Sequence, residues 1–280
     1  MRLAKVTIDG AARAVAIEDD QLHVLEDDLA SALAAVASGQ EPRRSSTTAP
    51  LDADALLAPV ADGAKFLCVG LNYYSHMEEA NLPKPDVPII FTKFPSVLIG
   101  PGDEIILPNT SEMVDWEVEV GVVIGRRVRE ADEEEAAAAI AGYTVVNDVS
   151  VRDYQLHTSQ WTPGKNLQSS TPVGPWIVTV DELGPNPDLG ISTRVDGVVR
   201  QDGRTTDAIF TPAQIIAYVS GFITLEPGDI IATGTCEGVG HLMSPPVYLH
   251  DDQVLETTIE RVGTLTNRCV GGRVPVTSAA

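Results

Sequence analysis

Basic residues are scarce in this chain: 19 lysines and arginines face 40 aspartates and glutamates over 280 residues, a formal charge of −21 at neutral pH. A surface that anionic repels nucleic acid and anionic lipid headgroups, so neither is an expected partner. It also repels an anionic small molecule unless a metal and local cations reverse the sign at one site. Long apolar runs are missing as well. None approaches the ~20 residues of a membrane span. Cysteine is rare, and Cys68, Cys236 and Cys269 are odd in number, widely spaced and without a C-x-x-C pair. They predict reduced thiols in a cytoplasmic protein, not a disulfide framework. The opening residues alternate like a strand and lack the apolar core of a secretion signal. A G-x-S-x-G elbow, a phosphate-loop Gly-Lys-Ser/Thr and a G-x-G-x-x-G run are all absent, which argues against a serine hydrolase and against a nucleotide site.

What is present is enough apolar residue, 44%, to bury a full core. Residues 1–60 read as a small α+β unit. Strands at 2–8 and 13–17 precede an alanine-rich helix from about Asp28 to Gly39, and a polar, proline-bounded stretch at 40–50 reads as a linker. Residues 61–280 read as a second, larger domain of short strands broken by Gly and Pro. Asp196-Gly197 marks a tight hairpin there. A helix is expected from Asp132 to before Gly142, and another with Thr211 as N-cap and Pro212 at N1. Strands outnumbering helices predict an α+β, β-rich fold on antiparallel or mixed sheets.

The most informative segment is Asp115-Trp116-Glu117-Val118-Glu119-Val120-Gly121-Val122-Val123-Ile124. Its alternation predicts a strand with one buried face, placing Asp115, Glu117 and Glu119 together on the other. At roughly 3.3 Å per residue, Glu117 and Glu119 begin about 6.6 Å apart, close enough to converge on one ion. A solvated acidic strand face has the same pattern. A third acid, Asp148, ends the strand-like run Tyr143–Asp148, and Arg152 follows it, which points to a site. An all-carboxylate set favours Mg²⁺ or Mn²⁺, with Ca²⁺ as a stand-in in a crystal, and disfavours zinc.

Other candidates flank these acids. His76 and Glu79 share a helical face, so Glu79 could orient His76 as a general base; a surface helix with a lone histidine is the commoner reading of that segment by itself. Lys165 follows a turn glycine in a stretch poor in other charges, and Lys93 ends an apolar strand. Both suit contact with an anion. The loop Thr233–Gly240 is glycine-rich and could clamp a carboxylate through its backbone.

Taken in order, these motifs resemble the fumarylacetoacetate hydrolase family. The resemblance rests on Cys68-Val69-Gly70-Leu71-Asn72-Tyr73 with His76, Phe91-x-Lys93, Asp115-x-Glu117-x-Glu119 and Asn147-Asp148-Val149-Ser150-Val151-Arg152-Asp153. It continues through Gly164-Lys165, Gly174-Pro175-Trp176, Leu225-x-Pro227-Gly228-Asp229-x-Ile231 and Thr233-Gly234-Thr235. It implies a catalytic domain of rolled, sandwiched mixed sheets with few helices behind a small N-terminal α+β domain, usually in a homodimer. It further implies Mg²⁺ or Mn²⁺ on Glu117, Glu119 and Asp148, a water-activating His76–Glu79 dyad on a lid, and an active-site Lys165. By the same resemblance Arg152, Gln155 and Thr235 face the oxo-acid end of a substrate, with Lys93 a further substrate contact. Cys236, Asn166–Ser170 and Asp251-Asp252 depart from the family's common residues.

The expected function is divalent-metal-dependent hydrolysis of a C–C bond in a small 2,4-diketo acid of the acylpyruvate or fumarylpyruvate type, as in aromatic catabolism. The alternatives are an oxaloacetate-type decarboxylase or a hydroxy-dienedioate isomerase on the same platform, and, from another class, a metal-binding protein without turnover. Retention of His76, Glu79 and Lys165 together argues against the last, because a binder needs the metal but not the base.

Overall fold

The computed structural model describes residues 1–271; the end of the expected second domain, 272–280, lies outside the described residues. The chain opens as an antiparallel meander of Arg2–Ile8, Ala11–Glu18, Gln21–Leu25 and Arg44–Pro50. Residues 40–50 are therefore not the expected linker. Most of them form a strand whose register is Gln21↔Pro50, Leu22↔Ala49 and His23↔Thr48. Between the last two strands runs the helix Leu29–Ala37. Asp28 caps it by accepting the Ser31 N–H at 2.8 Å, and Leu29, Ala32, Leu33 and Ala37 are buried.

The meander is continuous with the rest of the protein. Arg2 and Leu3 pair with Val178 and Ile177 of the strand Thr171–Thr179. Next come Ile140–Asn147, Val118–Ile124, Ile230–Ala232, Phe66–Gly70 and Ile89–Thr92. All these neighbours are antiparallel except Ile230–Ala232 with Phe66–Gly70, which makes the sheet mixed. A second, five-stranded sheet runs Val198–Arg204, Gly190–Val195, Val254–Ile259, Gly263–Gly271 and Ile105–Leu107. Its first hairpin turns at Asp196 and Gly197, both with positive φ (50° and 75°), as the Asp-Gly signal predicts.

Strand Val118–Ile124 is buried along its whole length, so the expected half-solvated face does not exist. Val118, Val120, Val122 and Ile124 pack with Ile191, Ile259 and Leu265 of the second sheet and with Ile215, Ile216 and Val219 of the helix Pro212–Ser220. On the opposite face Val123 packs with Leu29, Leu33 and Ala37 of the N-terminal helix. That helix covers the Val123 end. The Glu119 end of the same face is left for the site.

Candidate active site

The acidic run is not one strand. A short pairing of Val114–Asp115 with Ser150–Val151 ends at Asp115, and the long strand restarts at Val118. Glu117 sits in the break, where its N–H donates to Asn147 Oδ1 at 3.0 Å and its carbonyl accepts the Asp148 N–H at 2.8 Å. Since Val118 pairs with Asn147 and Glu119 with Val146, these two bonds bring Asp148 beside Glu117. Carboxylate oxygens of Glu117, Glu119 and Asp148 lie within 4.8 Å of one another, all three residues buried. The three expected metal ligands thus meet. Asp115, expected on their face, turns away instead.

Asp115 is a clamp. Its Oδ1 accepts the N–H groups of Trp116 (2.8 Å) and Gly240 (2.7 Å), and its Oδ2 accepts the His241 N–H (3.0 Å) and Arg152 Nε (2.8 Å). Arg152 Nη1 then reaches Glu117 Oε1 at 2.7 Å and Gln155 Oε1 at 2.8 Å. Lys165 Nζ donates to Glu117 Oε2 at 2.7 Å and to Asp148 Oδ2 at 2.8 Å. Burial alone would raise the Glu117 carboxyl, but the charges of Lys165 and Arg152 outweigh it and bring it down to about 2. Burial also works against the Lys165 ammonium; Asp148 and Glu117 outweigh it and keep the amine charged.

These residues fit a divalent cation. Asp115, Glu117, Glu119 and Asp148 are four buried carboxylates facing three buried cations, Lys93, Arg152 and Lys165. The deficit falls on Glu119, which no salt bridge reaches among the described residues; its Oε2 accepts the Gly234 N–H at 2.9 Å. Burial first, then the charges of Asp148 and Glu117, push its carboxyl well above the usual range. Three ionised carboxylates this close coexist only with a positive ion among them, and hard oxygen donors suit a hard divalent metal.

Glu117 and Glu119 open on a cavity of about 170 Å³ lined also by His76, Arg152, Gln155, Lys165, Thr235 and His241, with apolar walls from Val69, Leu82, Phe91 and Trp161. His76 projects from the helix Tyr74–Glu79, its Nδ1 3.3 Å from Glu79 Oε2. Glu79 Oε1 accepts the Gly238 N–H at 3.0 Å, which ties this helix to the glycine-rich loop. Lys93 does not line the cavity, contrary to the substrate contact expected of it. Its ammonium is buried behind the triad, 2.7 Å from Asp148 Oδ1 and donating to the carbonyls of Val149 and Lys165 at 3.1 and 2.6 Å. It neutralises Asp148 and pins the backbone that carries Lys165.

Two further side chains position the site, and neither role is written in the sequence, although Asn147 lies in a motif that carries the family resemblance. Gln201, on the second sheet, accepts the Val118 N–H (2.9 Å) and Thr193 Oγ1 (2.9 Å) and donates to Thr235 Oγ1 (2.8 Å) and the Cys236 carbonyl (3.0 Å). It fastens the acidic strand to the Thr235 loop. Asn147 links Glu117 to Thr257 through a 2.8 Å bond from its Nδ2. Glutamine and asparagine in strands are common and unmarked, and only their partners reveal the role.

Residues 65–270 match the C-terminal domain of fumarylacetoacetate hydrolase as a family. The chain belongs to the fumarylacetoacetate hydrolase family. Among relatives, human mitochondrial oxaloacetate tautomerase FAHD2A is 44% identical over 216 residues, 76% of this chain and 69% of that protein. The 2,4-didehydro-3-deoxy-L-rhamnonate hydrolase of Sphingomonas sp. (strain SKA58) is 48% identical over 208 residues, 74% and 73% of the two chains. The crystal structure of a 2-hydroxyhepta-2,4-diene-1,7-dioate isomerase from Mycobacterium marinum superposes with a TM-score of 0.82 at 34% identity, over 98% of this chain and all of that one. This member of the fumarylacetoacetate hydrolase family thus has the β-rich, mixed-sheet fold that its motifs implied. The reactions its relatives are named for differ: a tautomerase, a hydrolase and an isomerase.

Proposed function

We propose that this protein is a divalent-metal-dependent tautomerase or isomerase of a small 2-oxo acid, moving one proton along the carbon chain. The observation that carries the proposal is the buried His76, held by Glu79, on the wall of the cavity onto which Glu117, Glu119 and Lys165 also open. Mg²⁺ or Mn²⁺ on Glu117, Glu119 and Asp148 would supply a Lewis acid for the 2-oxo acid's oxygens. The remaining work falls to the side chains. Arg152, Gln155 and Thr235 orient the acid within the cavity. His76 takes a proton from the carbon beside the oxo group, and Glu79 balances the imidazolium that forms. The same ring returns the proton to oxygen in a tautomerase or to a more distant carbon in an isomerase. Lys165, which stays charged, faces the developing oxyanion and is too basic to act as the base itself. Phe91, Leu82 and Trp161 keep the cavity largely apolar, which strengthens these interactions.

This reading matches the sequence expectation's isomerase alternative better than its main claim of hydrolysis. Two of the three relatives are named for moving a proton, and the transfer needs no second reactant beside His76. Hydrolysis of a C–C bond is the second reading, favoured by the 48% identity to the rhamnonate hydrolase. His76 would then activate a water. The test uses Mn²⁺-loaded protein with oxaloacetate, following the ultraviolet absorbance of the enol and ¹H–²H exchange at C3 in heavy water. The parent protein should accelerate both, and His76→Ala should slow them by about 10²–10⁴-fold with Mn²⁺ affinity kept. Cleavage of acylpyruvates without any C3 exchange would instead establish the hydrolase.

A further inference from the structure

The helix that presents His76 is six residues long, and Tyr73 at its N-cap makes no side-chain capping bond. So short a helix is marginal by itself, and its place is set by what holds its root. The chain reaches that root from the strand Phe66–Gly70 through Leu71, at φ 53°, a left-handed conformation that a leucine keeps only where its neighbours hold it. Next comes Asn72, fully buried. Its Nδ2 donates to the carbonyls of Thr233 (2.7 Å) and Phe210 (3.1 Å), its Oδ1 accepts the Phe210 N–H (2.8 Å), and its backbone carbonyl accepts the Ile209 N–H (2.7 Å).

The Thr233 carbonyl belongs to a trans peptide whose other end is the Gly234 N–H, the group that donates to Glu119 Oε2 at 2.9 Å. The two ends of a planar trans peptide point opposite ways, so Asn72 and Glu119 grip one peptide from its two sides. The N–H and hydroxyl of Thr233 both donate to the Val120 carbonyl, and neither bond touches that peptide. Gly234 has φ 94°, and a glycine lets such a peptide turn over at little cost. Turned over, it would aim the Thr233 carbonyl, an acceptor, at the Glu119 carboxylate.

We infer that Asn72 is a positioning residue for both halves of the site: it locks the Thr233–Gly234 peptide that orients Glu119, and by the same amide it fixes the root of the His76 helix. An amide is the group this place requires, with one acceptor for an N–H and two donors for two carbonyls. A carboxylate lacks the donors, and an aliphatic side chain leaves three buried backbone groups unpaired. The one premise shared with the proposed function is that Glu119 holds the metal.

The test reads Mn²⁺ affinity by calorimetry and amide hydrogen exchange across residues 73–85, both without substrate. In the parent, Mn²⁺ alone should slow that exchange. Asn72→Ala should weaken Mn²⁺ binding by about tenfold, as loss of a partner behind a metal ligand does, and should speed the exchange with or without metal. Asn72→Asp keeps the shape and the acceptor for Phe210 but loses the donor to Thr233. It too should weaken Mn²⁺ binding, although a negative charge added near the site would by itself strengthen it. Two controls separate this role from general loosening. Asp207→Ala removes the acceptor of the Ser75 N–H and should speed the exchange with Mn²⁺ affinity kept. Val219→Ala, in the core, should lower Tm and change neither readout. At saturating Mn²⁺, Asn72→Ala should keep kcat for C3 exchange about tenfold down with KM little changed, since the base and not the oxo-acid contacts has moved. Parent Mn²⁺ affinity in both Asn72 variants, tighter binding in Asn72→Asp, an equal loss in Val219→Ala, or parent exchange that ignores Mn²⁺ would each overturn the inference. A parent without C3 exchange but with Asn72-dependent Mn²⁺ binding would refute the proposed reaction and leave the role of Asn72 standing.

Discussion

Lys165 holds two of the three candidate metal ligands at 2.7 and 2.8 Å, so it competes with a cation for the same oxygens even as it prepares the cavity for an anion. The two roles predict opposite signs for one substitution. Lys165→Met should tighten Mn²⁺ binding, because Glu117 and Asp148 lose a competitor. It should also slow turnover by about 10²–10³-fold, the usual effect of removing one group that stabilises an oxyanion. Calorimetric titration and the C3 exchange rate measure the two, and an unchanged pair would deny Lys165 both roles. Glu117, Glu119, Asp148, His76, Glu79, Arg152, Gln155 and Thr235 were all nameable from the sequence because motif order preserves which residues meet. Lys93 misled because its exposure is not written locally: a lysine at the end of an apolar strand looks like an anion contact whether it opens on the cavity or is buried behind Asp148. The clamping role of Asp115 escaped for a related reason, since its carboxylate accepts the His241 backbone N–H from 126 residues away.

The element that carries Lys165 is a single turn, Thr162–Lys165, packed on the turn Arg152–Leu156. Gly164 permits that contact: a methyl there would overlap the Gln155 backbone. Gly164→Ala should therefore separate the two turns, displace Lys165 from Glu117 and Asp148, and cut exchange activity by at least about tenfold, since small misplacements of catalytic groups are costly. Unchanged activity would show that the turns tolerate the shift. The helix Tyr74–Glu79 makes its own prediction. Among the described residues, the hydrogen bonds that fasten it to distant loops are the Glu79–Gly238 bond, a weak 3.4 Å bond from the Glu237 N–H to Ser75 Oγ and the Ser75–Asp207 bond at 2.9 Å. Oxalate with Mg²⁺ should slow hydrogen exchange across residues 73–85, and exchange that does not slow would count against a closing lid. Helices capped by Asp28, Asp132 and Thr211 were readable in advance because caps are local chemistry. The strand Arg44–Pro50 was not: its side chains are half-buried or exposed, and its register rests largely on backbone pairing with Gln21–Leu25. The doubly buried strand Val118–Ile124 was misread likewise, because its second cover is a helix some eighty residues earlier in the chain.

Across the whole molecule the charge of −21 meets a buried network in which carboxylates also exceed cations. At about 0.15 M salt the Debye length is about 8 Å, so surface repulsion is largely screened while the buried imbalance is not. Glu119 and Glu117 then give stability opposite pH dependences. The Glu119 carboxyl is raised in the fold, so its contribution is present below the ordinary glutamate value and is lost as pH rises through the folded one. Glu117 is drawn down to about 2, so its contribution is present above the ordinary value and is lost only as pH falls through about 2. Without metal, the site is therefore best tolerated in mild acid, with Glu119 protonated and Glu117 ionised. A divalent ion must displace the Glu119 proton, and its binding strengthens as pH rises. The rise in Tm on adding Mn²⁺ should accordingly be larger at pH 8 than at pH 6, reaching several degrees at saturation, while the metal-free Tm falls over the same interval. Glu119→Gln should abolish the Mn²⁺ effect, raise the metal-free Tm by a few degrees at pH 8 and flatten its decline. A Mn²⁺-induced shift of the same size at both pH values would mean that Glu119 carries no proton to displace, and that Lys93, Arg152 and Lys165 already balance the site.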